Sequence, residues 1–233
     1  MTRLLASVTD GPEAEMAIAA GADIIDLKDP SRGALGALPL DLIQRIVQQV
    51  AGRRPVSATI GDLPSEPNLL SDAIRATAAT GVDYVKAGFF TTENLADCLR
   101  AIAPLTRDQS VVAVLFADRS SPLDDLAGFA GAGFAGVMLD TADKSSGGLT
   151  THTSLGDLRA FVDQARALGL LCGLAGALRI EDIPALLRLA PDYLGFRGAL
   201  CRGAYRQERL DPDRLQAVRR AMGPLSTPVA ASH

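Results

Sequence analysis

Eight times along its length the chain repeats one phrase: a short apolar run of strand length, then a longer stretch with helical spacing. The strand-like runs fall at 4–8, 23–28, 55–60, 84–88, 111–117, 137–140, 171–175 and 193–197. The helical stretches between and after them cover 11–20, 40–50, 68–80, 93–102, 123–130, 154–168, 180–189 and 211–222. Strictly alternating strands and helices bury their apolar faces best as a parallel sheet covered by helices. Eight such units in this length predict a single-domain α/β fold, the (β/α)8 TIM barrel, over 1–223. The polar, Pro-containing end over 224–233 reads as a flexible C-terminal tail. Gly21, Gly81, Gly133 and Gly169 stand where helices should stop. A doubly wound open sheet is the runner-up, but no GxGxxG follows the first strand.

Composition narrows the function classes. A net charge of -4 argues against a nucleic-acid partner, whose footprint is normally basic. No apolar run approaches membrane-spanning length, and the N-terminus turns polar too early for a signal peptide, so a cytoplasmic protein with no membrane partner is expected. Cys98, Cys172 and Cys201 are widely spaced, without the pairing of a disulfide framework or zinc site. With His152 and His233 as its histidines, the chain offers little to a two-histidine mechanism. Lysine is scarce: of 23 Lys plus Arg residues, three are lysines, Lys28, Lys86 and Lys144. A desolvated lysine can lose its proton and attack a carbonyl, which arginine cannot.

A barrel of this kind does its chemistry at the C-terminal ends of its strands. Lys28 and Lys86 fall at such ends, and Lys144 lies just beyond the sixth strand. Residues two apart share a strand face, so Asp26 points with Lys28, Lys86 with Tyr84, and Asp140 with Met138. If Ile25 and Leu27 face the helices, these charges enter the barrel mouth. Crowding and desolvation depress a lysine pKa while carboxylates oppose that shift. The pattern therefore suits Schiff-base chemistry, with solvated loop lysines and a structural salt-bridge cluster as the alternatives. Asp118 can equally be a loop cap. The loops after the seventh and eighth strands are the expected phosphate site, with Gly176 and Gly198 admitting close approach and Arg197 supplying a charged fork. Ser7, Ser57 and Thr59 are further polar candidates. No metal cluster or nucleotide motif is present, so no cofactor is expected, and the partner is a phosphorylated small molecule. Ala- and Leu-rich helix faces permit a homo-oligomer without specifying one.

The segments "DIIDLKDP", "GALGA", "VSATIGD", "GVDYVKAGF", "MLDTADK", "LAGAL" and "FRGALC" together resemble the (5-formylfuran-3-yl)methyl phosphate synthase family, also called 4-hydroxymethyl-2-furancarboxaldehyde-phosphate synthases. The resemblance spans nearly the whole chain. It implies a lyase of class I aldolase type that condenses two molecules of glyceraldehyde 3-phosphate into a furan phosphate for methanofuran-type cofactors. It also implies Lys28 as the Schiff-base lysine and Lys86 as the proton acceptor, with Asp26, Asp140 and Lys144 as further polar members of the site. Ser7, Gly176, Arg197 and Gly198 are the expected substrate and phosphate contacts. Another Schiff-base phosphosugar aldolase or isomerase, or a non-catalytic phosphosugar-binding barrel, would use the same fold.

Overall fold

A computed structural model describes residues 1–119, 124–143 and 145–223; Lys144 and the tail over 224–233 lie outside the described residues. Strands β1 (Arg3–Val8), β2 (Ile24–Leu27), β3 (Val56–Thr59), β4 (Tyr84–Phe89), β5 (Val111–Phe116), β6 (Gly136–Asp140), β7 (Leu171–Leu174) and β8 (Tyr193–Phe196) pair in parallel, each with the next, and β8 closes on β1. Around them run α1 (Gly11–Ala19), α2 (Leu40–Val50), α3 (Pro67–Ala78), α4 (Leu95–Ile102), α5 (Leu126–Gly131), α6 (Leu149–His152), α7 (Leu155–Ala167), α8 (Ile183–Leu187) and α9 (Pro212–Met222). The expected barrel is the observed one. The stretch expected as one helix over 180–189 divides into a 3-10 turn, Ile180–Asp182, and α8. Pro184 has no N–H with which to carry a continuous helix through the junction. The short α6, absent from the sequence reading, precedes the Ser154 cap of α7, which accepts from the Asp157 N–H. Among the described residues no helix is long and apolar enough to cross a membrane.

Strand alternation sorts side chains into two layers. Leu4, Ala6, Val8, Ile25, Leu27, Val85 and Ala87 pack in one cluster with Ile43, Ile46 and Val50 of α2, the layer between barrel and helices. Leu5, Ile24, Val112, Val114, Met138 and Tyr193 form the other, inside the barrel. Each buried Leu, Ile, Val or Met side chain among them stabilises the fold by about 1.5–3 kcal/mol. Inside, bulk is balanced across strands: a Cβ at Gly173 would collide with the Tyr193 ring.

Register is set at the opposite end by a repeated clasp. The carboxylates of Asp23, Asp83 and Asp192, each just before an even-numbered strand, accept the N–H of Leu4, Val56 and Cys172 at 2.7–2.8 Å. At the top, the β8–β1 seam is fastened by Arg197, which meets Glu13 of α1 with both Nη atoms. Its remaining donors reach the carbonyls of Ser7, Arg206 and Glu208. Glu13 also accepts from the N–H groups of Thr9 and Leu210. Burial would raise the Glu13 pKa, but the hydrogen bonds and charge of Arg197, with those backbone bonds, hold it below the ordinary value.

Arg197→Ala should therefore leave Glu13 buried without its partner and cost about 3–5 kcal/mol at pH 7. Urea titration reads this as a lower midpoint. Because the folded Glu13 pKa is depressed, the pair's contribution is present above the unfolded value of about 4.5 and lost as pH falls through the folded one. The gap between wild type and variant should narrow in acid; equal midpoints at pH 7 would contradict the seam.

Candidate active site

The register puts Ser7 beside Asp26, Asp26 beside Ser57, and Ser57 beside Tyr84, all on the face that enters the barrel. Asp26 is fully buried, and its carboxylate is held on every side. Oδ1 lies 2.7 Å from Lys86 Nζ and accepts the Ser57 hydroxyl at 2.7 Å; Oδ2 accepts the Ser7 hydroxyl at 2.9 Å. Desolvation alone would raise the Asp26 pKa. The charges of Lys86 and Lys28, with hydrogen bonds from Lys86 and Ser57, outweigh it and hold the carboxyl below its usual range. Asp26 is thus an anion stabilised by cations, and it pairs directly with Lys86.

The two lysines face different spaces. Lys28 lines a cavity of about 610 Å³ at the barrel mouth, with Ser7, Asp140, Gly176, Gly198 and Arg206 also on its wall. Lys86, 2% exposed, lines an inner cavity of about 20 Å³ with Ser57, Tyr84 and Tyr193. That inner space has room for about one water molecule. Asp140 is buried on β6, with Oδ1 accepting the Thr141 N–H at 2.7 Å. Gly176 has φ +104°, and a Cβ there would come within 3.0 Å of the Thr141 N, so this crossing of the β6 and β7 loops needs glycine.

Lys28 and Asp140 line the cavity at the barrel mouth, whereas Lys86, expected at the end of its strand, is the third of six residues in β4 and lines the small cavity with Arg3, Ile24, Tyr84, Leu171 and Tyr193, the first residues of their strands; Lys144 lies outside the described residues. One expected contact is corrected. Arg197 cannot present a charged fork to phosphate, because each of its five N–H donors already has a protein acceptor. Ser7 lines the cavity, and its hydroxyl donates to Asp26. Asp118, open between roles in the sequence, caps a loop: its two oxygens accept the Ala142 and Asp143 N–H groups at 2.7 Å each.

Sequence reasoning missed Arg206 and Asp62. The carboxylate of Asp62, after β3, accepts the N–H groups of Ala34 and Leu35. This presses the loop after β2 onto the mouth, with Leu35 packed in the inner cluster beside Phe116 and Phe90. Arg206 donates to the Gly33 carbonyl of the same loop at 2.9 Å. Neither residue belongs to a periodic apolar pattern, so only their place in space reveals them.

Comparison with known proteins decides the family. The 4-HFC-P synthase family matches residues 4–219. The chain belongs to this family. The (5-formylfuran-3-yl)methyl phosphate synthase of Methanocaldococcus jannaschii is 37% identical, covering 93% of this chain and 97% of its own length. Its namesake from Methanopyrus kandleri is 39% identical over 85% of this chain and 89% of its own. A Methylorubrum extorquens relative reaches 46% identity over 94% of this chain and 91% of its own. Among solved structures, phosphoribosyl anthranilate isomerase from Thermus thermophilus aligns with a TM-score of 0.67 at 15% identity, covering 95% of this chain and 98% of that one. At that identity the likeness shows the barrel alone.

For this 4-HFC-P synthase family member, the order of two substitutions tests the carboxylate cradle. Ser57→Ala removes one bond to a buried charge and should cost about 1.5–3 kcal/mol. Asp26→Asn strands the Lys86 ammonium and should cost more, about 3–5 kcal/mol. Urea titrations giving the reverse order would contradict the cradle.

Proposed function

We propose that this 4-HFC-P synthase family member is a (5-formylfuran-3-yl)methyl phosphate synthase acting in methanofuran-type cofactor biosynthesis. It is a lyase that joins two molecules of glyceraldehyde 3-phosphate with loss of one phosphate and two waters. The observation that carries the mechanism is Lys28 on the wall of the large cavity, beside a buried Asp26–Lys86 pair. The Lys28 amine attacks the carbonyl of one triose phosphate, after its isomerisation to the ketone, and expels water to give an iminium. With its own proton passed to the Asp26 carboxylate 2.7 Å away, the Lys86 amine accepts the proton from the neighbouring carbon, and the iminium nitrogen takes the electron pair as an enamine. The enamine carbon attacks the aldehyde of the second triose. Loss of phosphate and water, ring closure and release from Lys28 complete the furan.

Asp26 suits this sequence because it faces both cations. As Lys28 becomes an iminium, the carboxylate keeps a positive charge beside it stabilised without a large reorganisation. As Lys86 gains or gives up a proton, the same carboxylate holds its Nζ in place. Asp140, with Lys144, assists the later eliminations. The substrate phosphates are recognised in part by the backbones around Gly176 and Gly198.

The test is stoichiometric. Incubation with glyceraldehyde 3-phosphate should yield a furan-absorbing product and one inorganic phosphate for every two trioses consumed. A six-carbon adduct that retains both phosphates would identify a simple aldolase instead. Lys86→Ala should lower turnover by at least about a hundredfold, the usual scale of general-base loss; undiminished turnover would remove Lys86 from the mechanism.

A further inference from the structure

Two trioses bring two phosphates into one cavity, and the expected charged partner, Arg197, is fully committed to the seam. The backbones around Gly176 and Gly198 offer neutral N–H donors but no charge. A second dianion in the same half-buried space needs a cation, or its desolvation goes uncompensated.

Arg206 meets that need. It is half-buried, lines the large cavity, and stems from the turn packed on Gly198, where a Cβ would lie 3.9 Å from the Arg206 Cβ. Its side chain then crosses toward the loop after β2, the strand that leads into Lys28. One Nη2 donor reaches the Gly33 carbonyl, and among the described residues no other acceptor and no carboxylate within ion-pair distance meets the guanidinium. Arginine has five donors in a planar fork, so several stay available to a phosphate while the Gly33 bond is kept. Burial pulls the Arg206 pKa below its ordinary value, with Asp140 and Asp62 opposing from across the mouth and Arg197 adding repulsion. This is a cation held in place, partly stripped of water, and not neutralised by direct contact.

We propose that Arg206 is the charged contact for one of the two substrate phosphates, the one that the glycine loops do not hold. The inference rests on the two-triose reading of the site, and it assigns the anion-recognising role to a residue after β8 instead of Arg197. The Gly33 bond adds a consequence: the guanidinium that grips the anion also ties the β8 loop to the β2 loop over Lys28.

Three variants separate charge from tethering. Arg206→Gln keeps a donor for the Gly33 carbonyl and loses the charge; Arg206→Lys keeps the charge; Arg206→Ala loses both. Half-saturation for glyceraldehyde 3-phosphate should rise about tenfold or more in the Gln and Ala variants and be partly restored by Lys, the scale of a lost charge-assisted bond. Inorganic phosphate, titrated calorimetrically against the whole protein, should weaken in parallel, with urea midpoints of the Gln variant near wild type. If Gln restores what Ala loses, Arg206 is a tether only, and the proposal is overturned. It is equally overturned if Arg206→Gln leaves both readouts unchanged, or if Arg179→Gln, on the exposed β7 loop, produces the loss in its place. A wild type that binds phosphate through Arg206 yet makes no furan phosphate would sink the two-triose reading and leave the anion contact standing, so the two failures are distinguishable.

Discussion

A carboxylate with no exposure, set inside a barrel, costs several kcal/mol unless its charge is answered at close range. Asp26 is answered by Lys86, by two serine hydroxyls, and by the nearby charge of Lys28. Each of these partners comes from a different position along β1 to β4 or from the end of β2 itself. A one-residue slip in any of these strands would turn the partner to the helix side and leave a buried ion unpaired. The ion pair and the strand register therefore enforce each other. The Asp23, Asp83 and Asp192 clasps at the opposite end make the same register cheap to find.

Charge in this molecule is divided between joints and chemistry. Arg197 and Glu13 form a joint: every donor is spent, and the pair sews β8 to α1 where the barrel closes. Asp118 and Asp62 are also joints, each clasping two successive N–H groups so that the loops after β6 and β2 hold their shape around the mouth. Arg197 lines the large cavity together with Lys28 and Arg206, but unlike Arg206, whose hydrogen bond goes to Gly33, it has every donor spent in its joint. Lys86 combines the roles. Its ammonium completes the buried cradle, and the carboxylate it pairs with is the same one that feels the charge of Lys28.

Much of this was legible in the residues. Eight alternating runs gave the barrel, and parity alone turned Asp26, Lys28, Lys86 and Asp140 toward its interior, because a two-residue period is a local property of strands. What parity cannot give is which of several inward groups touch. Asp26 shares its strand face with Lys28, yet the ion pair it makes with Lys86 comes from β4, 60 positions further along the chain. Arg197 looked like a phosphate fork for the same reason: nothing near it in sequence reveals Glu13, 184 positions away. In "GADIID", "GVDYVK" and "APDYLG" the aspartate before each strand is a register clasp, which no apolar period marks in advance.

With three lysines in the chain, the division of labour between Lys28 and Lys86 can be read directly. Borohydride reduction in the presence of glyceraldehyde 3-phosphate, followed by peptide mass mapping, locates the covalent adduct on one side chain. An adduct on Lys28, with Lys86 unmodified, is the expected result. An adduct on Lys86 would mean that the buried pair with Asp26 opens to receive substrate, and the central claim of a fixed Asp26–Lys86 unit beneath a reactive Lys28 would be wrong.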